Sequence, residues 1–176
     1  MTRSFIRNFF GLRSDVGINF HIGDFVFRRL LFQNRGVKWP VHYTTTIRCP
    51  QNIKKGIGCY PGDSPGVYID AVHGLEVGDY VNMGPHVTII TANHDLIDND
   101  KTQPSPPVKI GGFSWLGAKS IILPGVELGR FTIVGAGAVV TKSFKEGYQV
   151  LAGNPAKVIR QLNQEECEKF ASTKIK

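Results

Sequence analysis

The stretch IGGFSWLGAKSIILPGVELGRFTIVGAGAVV, residues 110–140, repeats with a period of six residues. A large aliphatic residue occupies every sixth position: Ile110, Leu116, Ile122, Leu128, Val134 and Val140. Glycine directly follows most of these residues. Two residues before each later aliphatic position lies a small or β-branched residue: Ser114, Ser120, Val126, Thr132 and Ala138. Residues two apart face the same side of an extended strand, so these pairs are predicted to point inward.

This period distinguishes between the possible secondary structures. An α-helix has 3.6 residues per turn and would place successive sixth residues on opposite sides. Ordinary hairpins need longer alternating runs joined by hairpin-turn dipeptides. Short strands separated by glycine-containing corners instead predict an all-β fold, a parallel β-helix of hexapeptide repeats with three strands per coil. The residues between the inward pairs are then predicted to face outward: Trp115, Ile121, Glu127, Ile133 and Val139.

The same phase occurs upstream of this stretch. It is clear at Val77, Met83 and Ile89, and weaker at Ile57 and Ile69. The step from Ile69 to Val77 is longer than six residues, so about two residues are inserted there. The β-helix is therefore expected to begin well before residue 110.

The repeat is interrupted between Ile89 and Ile110, where residues 93–108 show no inward pattern. This segment begins with Asn-His-Asp and closes with the proline-rich QPSPP at 103–107. We expect a loop that protrudes from the wall of the β-helix. Loops on rigid scaffolds commonly carry function, so His94 is a candidate functional residue.

The two ends of the chain differ from the repeat. SFIRNFF (4–10) and GDFVFRRLLFQN (23–34) have apolar residues at three- and four-residue spacing, which predicts short amphipathic helices. NQEECEKFAST (163–173) predicts a closing helix with Asn163 as its N-cap. Helical covers are expected because an open β-helix end exposes core and strand edges.

The predicted organisation therefore has three parts. Residues 1–50 form an N-terminal helical and basic region, 51–162 the β-helix, and 163–176 a C-terminal helix and tail. At 176 residues and 41% hydrophobic, the chain is long enough for one domain with a real core.

Composition also limits the class of protein and its compartment. Neither an apolar run long enough for a membrane span nor a signal-peptide pattern is present. The three cysteines are odd in number and widely spaced, which favours a reducing environment over a disulfide framework or a zinc site. We expect a cytoplasmic protein.

The net charge of +7 is concentrated near the N-terminus. Residues 1–48 contain eight Lys/Arg and two Asp, so this segment alone carries +6. One interpretation is a solvated arm that also covers an end of the core. The other is attraction to an anionic partner, such as a phosphate-bearing substrate or a membrane surface touched peripherally. Nucleic acid is not expected, because no nucleic-acid-binding motif accompanies the charge.

Longer segments carry a resemblance to a known family. IGGFSWLGAKSIILPGVELGRFTIVGAGAVVTKSFKEGYQVLAGNPAKVIRQL (110–162), with VGDYVNMGPHVTIITANHD (77–95), resembles the hexapeptide-repeat acyltransferases. Within that family it resembles galactoside, maltose and exopolysaccharide O-acetyltransferases. The resemblance implies a left-handed β-helix and a homotrimer with active sites between subunits. It also implies acetyl-CoA in the groove between two coils and a loop histidine as general base.

By this resemblance His94 matches the catalytic histidine. An acceptor hydroxyl is a poor nucleophile until its proton is removed, and a neutral imidazole suits that task at cellular pH. Asp95, Asp70 and Asn93 are candidates to orient the imidazole or to bind the acceptor, and a backbone carbonyl is an equal candidate as the orienting group. Without the resemblance, Asn-His-Asp on a loop would be interpreted as a turn.

The resemblance also implies acetyl-CoA-binding residues: Trp115, Gly117, Ala118, Ala136, Thr141, Lys142, Lys157 and Arg160. Trp115 would pack at the cofactor groove or at the subunit interface. The two alanines would let the pantetheine arm approach the backbone closely. Lys157 stands where relatives have arginine, which keeps the charge but loses the bidentate fork.

The predicted function is an O-acetyltransferase that moves acetyl from acetyl-CoA to a hydroxyl of a sugar or glycan precursor. Direct transfer is expected because no cysteine lies in the His94 loop. The alternatives are a non-sugar acceptor, such as a xenobiotic or a serine-like compound, and a non-catalytic trimeric scaffold. A metal-dependent hydratase resembling a gamma-type carbonic anhydrase needs two histidines five residues apart, and no pair here has that spacing. No metal is expected.

Overall fold

The computed structural model describes residues 16–174, and most of their strands form three parallel sheets that wrap around one core. Face 1 contains β1 (Thr46–Arg48), β3 (Tyr68–Asp70), β6 (Thr88–Ile90), β11 (Ile121–Ile122) and β14 (Val139–Val140). Face 2 contains β2 (Ile53–Lys55), β4 (Leu75–Val77), β9 (Val108–Ile110) and β12 (Glu127–Leu128). Face 3 contains β5 (Asn82–Met83), β10 (Trp115–Leu116), β13 (Thr132–Val134) and β15 (Gln149–Ala152), followed by the antiparallel β16 (Lys157–Gln161).

The chain visits the faces in turn, so that each circuit forms one coil. In register, Ile122 of β11 lies beside Ile89 of the coil below and Val140 of the coil above. Parallel pairing of short strands from successive coils is the predicted β-helix, and it stacks the sixth-residue aliphatics into one continuous core.

Burial confirms the predicted inward pattern. All six aliphatics of the repeat, from Ile110 to Val140, are at most 2% exposed, and their small partners are at most 1% exposed. The upstream positions Ile69, Val77, Met83 and Ile89 are also buried. The prediction for Ile57 is wrong: its side chain is 72% exposed because the chain there forms a turn and not a strand.

One glycine shows why the corners exclude side chains. A Cβ at Gly129 would lie 2.3 Å from the carbonyl oxygen of Lys145 and 2.5 Å from the amide nitrogen of Gly147. Both atoms belong to the backbone of the next coil, so they cannot move aside. Close backbone contact between coils is thus the physical reason for the glycine that follows the inward aliphatic.

An aromatic ladder, defined by Tyr80, Phe113, Phe131 and Tyr148, follows the corner between faces 2 and 3. All four have left-handed backbones, with φ between 49° and 59°, and neighbouring ring centroids are 5.0–5.7 Å apart. Stacked rings of this spacing stabilise the corner beyond the area they bury. The six-residue period did not predict this ladder.

The C-terminal helix α2 (Gln164–Lys174) packs against the aromatic ladder. Asn163 caps it, since its Oδ1 accepts the amide N–H of Glu166 at 3.1 Å. Both the closing helix and its cap are therefore confirmed. Arg130 and Tyr148 bind Glu168 on this helix.

The N-terminal helix α1 (Ile18–Phe25) continues into a π-helical turn (Val26–Leu30). The prediction placed this helix over 23–34; it begins earlier and ends earlier, since Phe32 and Asn34 adopt left-handed backbones. The helix predicted at 4–10 lies outside the described residues. A short 3₁₀ turn (Pro50–Asn52) follows β1.

Two other predictions concern the chain as a whole. The division at residues 50 and 162 stays a prediction. Among residues 16–174, no helix has the length and hydropathy needed to cross a bilayer.

Candidate active site

The repeat opens into a loop between β6 on face 1 and β9 on face 2. Thr91, buried at its start, donates its N–H to the carbonyl of Asp70, and Val108 donates to the carbonyl of Gly74 at its end. Within the loop, β7 (Asn93–His94) pairs antiparallel with β8 (Thr102–Gln103). The predicted loop is one residue too long, because Val108 is fully buried in the wall.

His94 projects from this two-stranded ribbon with an exposed side chain. Its Nδ1 lies 2.5 Å from the backbone carbonyl oxygen of Asn99. A carbonyl can only accept a hydrogen bond, so Nδ1 must carry the proton. The lone pair of the neutral ring is therefore on Nε2, which can accept a proton.

Asp95 folds the turn that contains this carbonyl. Its Oδ1 accepts the backbone N–H of Ile97 at 2.9 Å and of Asp98 at 3.0 Å, and Oδ2 lies 3.5 Å from Nε2 of Gln103. These donors lower the pKa of Asp95 because they stabilise its carboxylate. The backbone N–H of Asp98 has the largest effect. Asp95 therefore holds the loop, and the contact with the imidazole is made by Asn99 instead.

Asp70 lies at the foot of the loop, 8% exposed, where β3 ends. Arg48 pairs with its Oδ2 at 3.0 Å, and the N–H of Val72 lies 3.3 Å from Oδ1. Asn93 is exposed in β7, opposite Gln103. The structure thus brings the four predicted loop-side residues to the loop and its base.

Two partners in this region were missed from the sequence, Arg48 and Asn99. Arg48 aligns with Asp70 in the pairing of β1 and β3, so the spacing of the two strands would have signalled it. Asn99 acts through its backbone carbonyl, and the identity of a side chain does not predict such a contact.

Four of the predicted cofactor residues, Trp115, Gly117, Ala118 and Ala136, lie at or beside a different line, the corner between faces 3 and 1. Small residues stack there: a Cβ at Gly117 would lie 2.7 Å from the amide nitrogen of Ala136, and one at Gly84 would lie 2.8 Å from that of Ala118. Within residues 16–174, neither alanine N–H donates to an acceptor. Two donors are thus available on a narrow strip of backbone.

Trp115 stands on the outer side of face 3, 53% exposed, between Asn82 and Ile133. Its outward direction confirms the alternation predicted for β10. The indole lies one residue from Leu116 and two from Gly117, so it flanks the strip of small residues.

The predicted basic residues lie at the last coil. Thr141 and Lys142 directly follow β14, and Lys157 and Arg160 lie on β16, all four exposed. The turn between β15 and β16 bonds to β14: Val139 donates to the carbonyl of Gly153 and accepts the N–H of Ala156. This places Lys157 beside the strand that leads into Thr141.

The part of the chain that the structure describes contains no cluster of three or more His, Cys, Asp or Glu side chains arranged to hold a metal ion.

Comparison with known proteins places these features in a family. A family model described as bacterial transferase hexapeptide (six repeats) matches residues 107–142. A protein of Dictyostelium discoideum, classed by inference as an acetyltransferase, is 36% identical over 135 residues, which cover 75% of this chain and 70% of that protein.

Solved structures are similar as well. A maltose O-acetyltransferase from Clostridium difficile 630 has 32% identity and a TM-score of 0.62, over 68% of this chain and 64% of that one. The chain therefore spans just under two thirds of that enzyme's length. A galactoside acetyltransferase in complex with coenzyme A has 22% identity and a TM-score of 0.67, over 95% of this chain and 94% of that one.

The class of protein is thus a left-handed parallel β-helix built from hexapeptide repeats, as predicted. The chain belongs to the hexapeptide-repeat acetyltransferase family. The resemblance found in the sequence and the prediction of an acetyltransferase are both confirmed at the level of the family.

Proposed function

We propose that the protein transfers acetyl from acetyl-CoA to a hydroxyl of a sugar or glycan precursor, with His94 as general base. The observation that supports this most directly is the contact between Nδ1 of His94 and the carbonyl of Asn99. It leaves Nε2 as an exposed proton acceptor on a loop that departs from the repeat. A general base needs both the correct tautomer and access to the substrate.

The proposed reaction has two steps. Nε2 of His94 removes the hydroxyl proton while the acceptor oxygen attacks the thioester carbonyl carbon of acetyl-CoA. The tetrahedral intermediate then collapses, the C–S bond breaks, and the imidazolium returns the proton to the leaving thiolate sulfur. The products are the acetyl ester and free CoA, and His94 is neutral again. Such general-base catalysis contributes about 10²–10⁴-fold.

The carbonyl of Asn99 is the proposed orienting group. It fixes one tautomer before substrate binds and stabilises the imidazolium that forms during the reaction. Asp95 supports this indirectly, because its carboxylate orders the turn from Ile97 to Asp98 that precedes Asn99. Asp70 and Asn93 remain proposed acceptor-binding groups at the base of the loop.

The strip of small residues between faces 3 and 1 is the proposed acetyl-CoA site. The N–H groups of Ala118 and Ala136 would bind the carbonyls of the pantetheine arm, and Gly117 leaves room for it. Trp115 would cover one side of the groove.

The phosphates of the cofactor would reach the basic residues of the last coil. Lys157 and Arg160 are exposed on β16, and the exposed Thr141 and Lys142 directly follow β14. A lysine at 157 supplies a point charge in place of a bidentate arginine contact.

Direct transfer without an acyl-enzyme is proposed because of the state of the thiols. Burial raises the pKa of Cys59 to about 12, so its nucleophilic thiolate is scarce at neutral pH. Cys49 and Cys167 are half-buried on β1's end and on α2, away from the loop in sequence. All three thiols are free, which supports a cytoplasmic location.

A homotrimer with active sites between subunits is proposed from the outer surfaces of the three faces. Face 2 carries an alternating charged row, Lys54, Glu76, Lys109 and Glu127. Lys54 and Glu76 form an exposed ion pair in this row, and such a charged row is suited to water. In the last coils, faces 1 and 3 instead carry partly exposed apolar residues: Ile121, Val139, Ile133 and Val150. Subunits would therefore pack through faces 1 and 3, whose shared corner is the proposed cofactor strip.

The sugar class of acceptor is proposed from the relatives, which include a maltose and a galactoside acetyltransferase. A serine-like or xenobiotic hydroxyl would need the same base, so the acceptor must be found by experiment.

The test is release of free CoA thiol from acetyl-CoA across a panel of sugars, glycosides, serine and chloramphenicol. Wild type, His94→Ala and Asp100→Ala would be compared at equal concentration. Asp100 is the matched control, since it is an exposed titratable residue of the same loop whose side chain makes no hydrogen bond or ion pair in residues 16–174. We expect turnover with a sugar, a loss of at least about 100-fold in His94→Ala, and little change in Asp100→Ala.

Equal rates for His94→Ala and wild type would overturn the role of His94. Turnover with serine or chloramphenicol alone would overturn the sugar acceptor. If no acceptor is turned over, calorimetry with acetyl-CoA decides between an untested acceptor and a scaffold. Absence of binding would overturn the proposed activity altogether.

A further inference from the structure

The N-terminal helix α1 presents an apolar stripe to solvent. Ile18, Ile22 and Phe25 recur at four- and three-residue spacing, so they share one helix face, and they are 52–59% exposed. Leu30, Leu31 and Phe32 extend this surface, each 61% exposed. A surface helix normally turns its apolar face to the core. An outward apolar face therefore indicates a partner.

Polar contacts fix this orientation. Asp24 is 6% exposed on the opposite side of α1 and accepts the N–H of Val41 at 3.1 Å. Arg28, one turn further, pairs with Asp24 and donates to the carbonyls of Val37 at 2.9 Å and Trp39 at 3.0 Å. Rolling the helix to bury its apolar stripe would leave a buried carboxylate and several buried carbonyls unpaired, which is strongly unfavourable.

A basic cavity lies next to the apolar stripe. It has a volume of about 190 Å³ and is lined by Arg28, Arg29, Phe32, Arg35 and Val37. The lining contains three arginines, of which Arg28 is already paired with Asp24. Nε of Arg28 is buried without a hydrogen-bond partner within residues 16–174, and the Arg35 guanidinium lies 5.1 Å from the ring centroid of Phe32. This arrangement suits an anionic oxygen group.

We propose that residues 18–35 form a docking surface for an anionic lipid bilayer. The stripe of Ile18, Ile22, Phe25, Leu30, Leu31 and Phe32 would enter the interfacial region of the bilayer. Arg29 and Arg35, with Arg28 behind them, would bind lipid headgroup phosphates. Apolar insertion combined with basic side chains at the headgroup level is the pattern of interfacial helices.

Charge complementarity favours a bilayer over a symmetric contact between two copies of this surface. A symmetric contact between two copies of this surface would bring their arginines together, and like charges at an interface oppose association. An anionic bilayer accepts both components at once, since acyl chains cover the stripe and phosphates neutralise the arginines. This inference does not depend on the proposed acetyl transfer, because it involves none of the residues proposed for catalysis.

The test is co-sedimentation of the full-length protein with vesicles at low salt. Vesicles of phosphatidylcholine with 30% phosphatidylglycerol would be compared with pure phosphatidylcholine. We expect binding to the anionic vesicles that falls as salt is raised. Arg29→Glu should lower the partition coefficient about fivefold or more. Ile22→Ser combined with Phe25→Ser should lower it about tenfold or more.

Matched controls separate the surface from bulk properties. Lys169→Glu makes the same change in charge at an exposed position of α2, and Ile57→Ser removes an aliphatic side chain that is 72% exposed elsewhere. Both should bind as wild type does.

Three outcomes would overturn the proposal. One is equal sedimentation with neutral and anionic vesicles, and another is an equal loss in Lys169→Glu and Arg29→Glu. The third is a fall in mass of the Ile22→Ser, Phe25→Ser variant by light scattering, with no vesicle binding by wild type. That result would make the apolar stripe a subunit interface.

Discussion

The wall of the β-helix and the loop that carries His94 use the same residue types in opposite ways. Ile122 in the wall is fully buried and pairs with strands of two other coils. Ile97 in the loop is 97% exposed, and Leu96 beside it is 92% exposed. The loop is held by hydrogen bonds to Asp95 and by one ion pair, Asp98 with Lys101, rather than by packing.

This difference separates stability from activity. A buried wall residue contributes through the apolar area it removes from water, so its loss affects the free energy of unfolding. A general base must be reachable by a substrate, so it cannot lie in that core. The β-helix therefore supplies rigidity, and the break in its repeat supplies access.

Truncating an isoleucine in the wall and another in the loop should give the largest difference between the two regions. Ile122→Ala should lower the free energy of unfolding by about 2–5 kcal/mol, because it leaves a cavity between coils. Ile97→Ala should change it by less than about 0.5 kcal/mol, because its side chain is already in water. Urea unfolding at equal protein concentration measures both values.

Protein concentration must be matched because assembly into the proposed trimer would also stabilise the fold. A fall of more than about 1 kcal/mol in the free energy of unfolding of Ile97→Ala would contradict the difference between wall and loop. It would mean that the loop tip is buried in the assembled protein.

A smaller effect is expected at Asp95, and it should be confined to activity. Asp95→Ala removes the acceptor for two backbone N–H groups, so the turn that carries the Asn99 carbonyl would lose its order. We expect kcat to fall about 10- to 100-fold, since small displacements of catalytic groups are costly. Asp95→Asn should retain most activity, because the amide oxygen can accept the same two bonds.

Steady-state kinetics together with melting temperatures check this prediction. An equal loss in Asp95→Asn and Asp95→Ala would contradict it, since the charge itself would then be required. Unchanged activity in Asp95→Ala would show that the turn is ordered by other contacts.

The fold could be predicted where the sequence repeats and less well where it does not. From Ile110 to Val140 each coil imposes the same constraint, so six residues predict the next six. Ile57 failed because a weak match to the period cannot distinguish a strand from a turn. The predicted end of α1 was wrong because the apolar spacing continues to Phe32, whereas the backbone is left-handed at Phe32 and Asn34.

The aromatic ladder was predictable in principle. Tyr80, Phe113 and Phe131 each follow the inward aliphatic of face 2 by three residues, and Tyr148 completes the series. The signal was hidden because ring residues are not expected to adopt left-handed backbones at corners.

The candidate site divides in a similar way. His94 stood out because it interrupts a strong pattern, whereas the cofactor residues were predicted only from the resemblance to the family. The partner of the imidazole could not be predicted, because the carbonyl of Asn99 is positioned by the loop's own hydrogen bonds. A backbone group contributes the same atom whatever its side chain.

The smallest expected effect concerns how α2 is held to the wall. Hydrogen bonds from Tyr148 and then Arg130 hold the pKa of Glu168 below its usual value of 4.5. The folded protein therefore binds this proton less readily than the unfolded chain does. The contact contributes stability above about pH 4.5, and the contribution is lost as pH falls through the lower folded-state pKa. Glu168→Gln should lower the melting temperature near pH 7 by about a degree or two, as for a half-exposed ion pair.

The difference between wild type and Glu168→Gln should close as pH falls well below 4.5, and thermal unfolding from about pH 3 to pH 7 would measure it. Glu146→Gln is the control, since Glu146 is exposed and its side chain makes no hydrogen bond or ion pair in residues 16–174. Glu146→Gln should leave the fall in melting temperature between about pH 7 and pH 3 the same as in wild type. A constant gap at every pH would show that the charge of Glu168 does not hold α2 to the wall, because only the carboxylate titrates over this range.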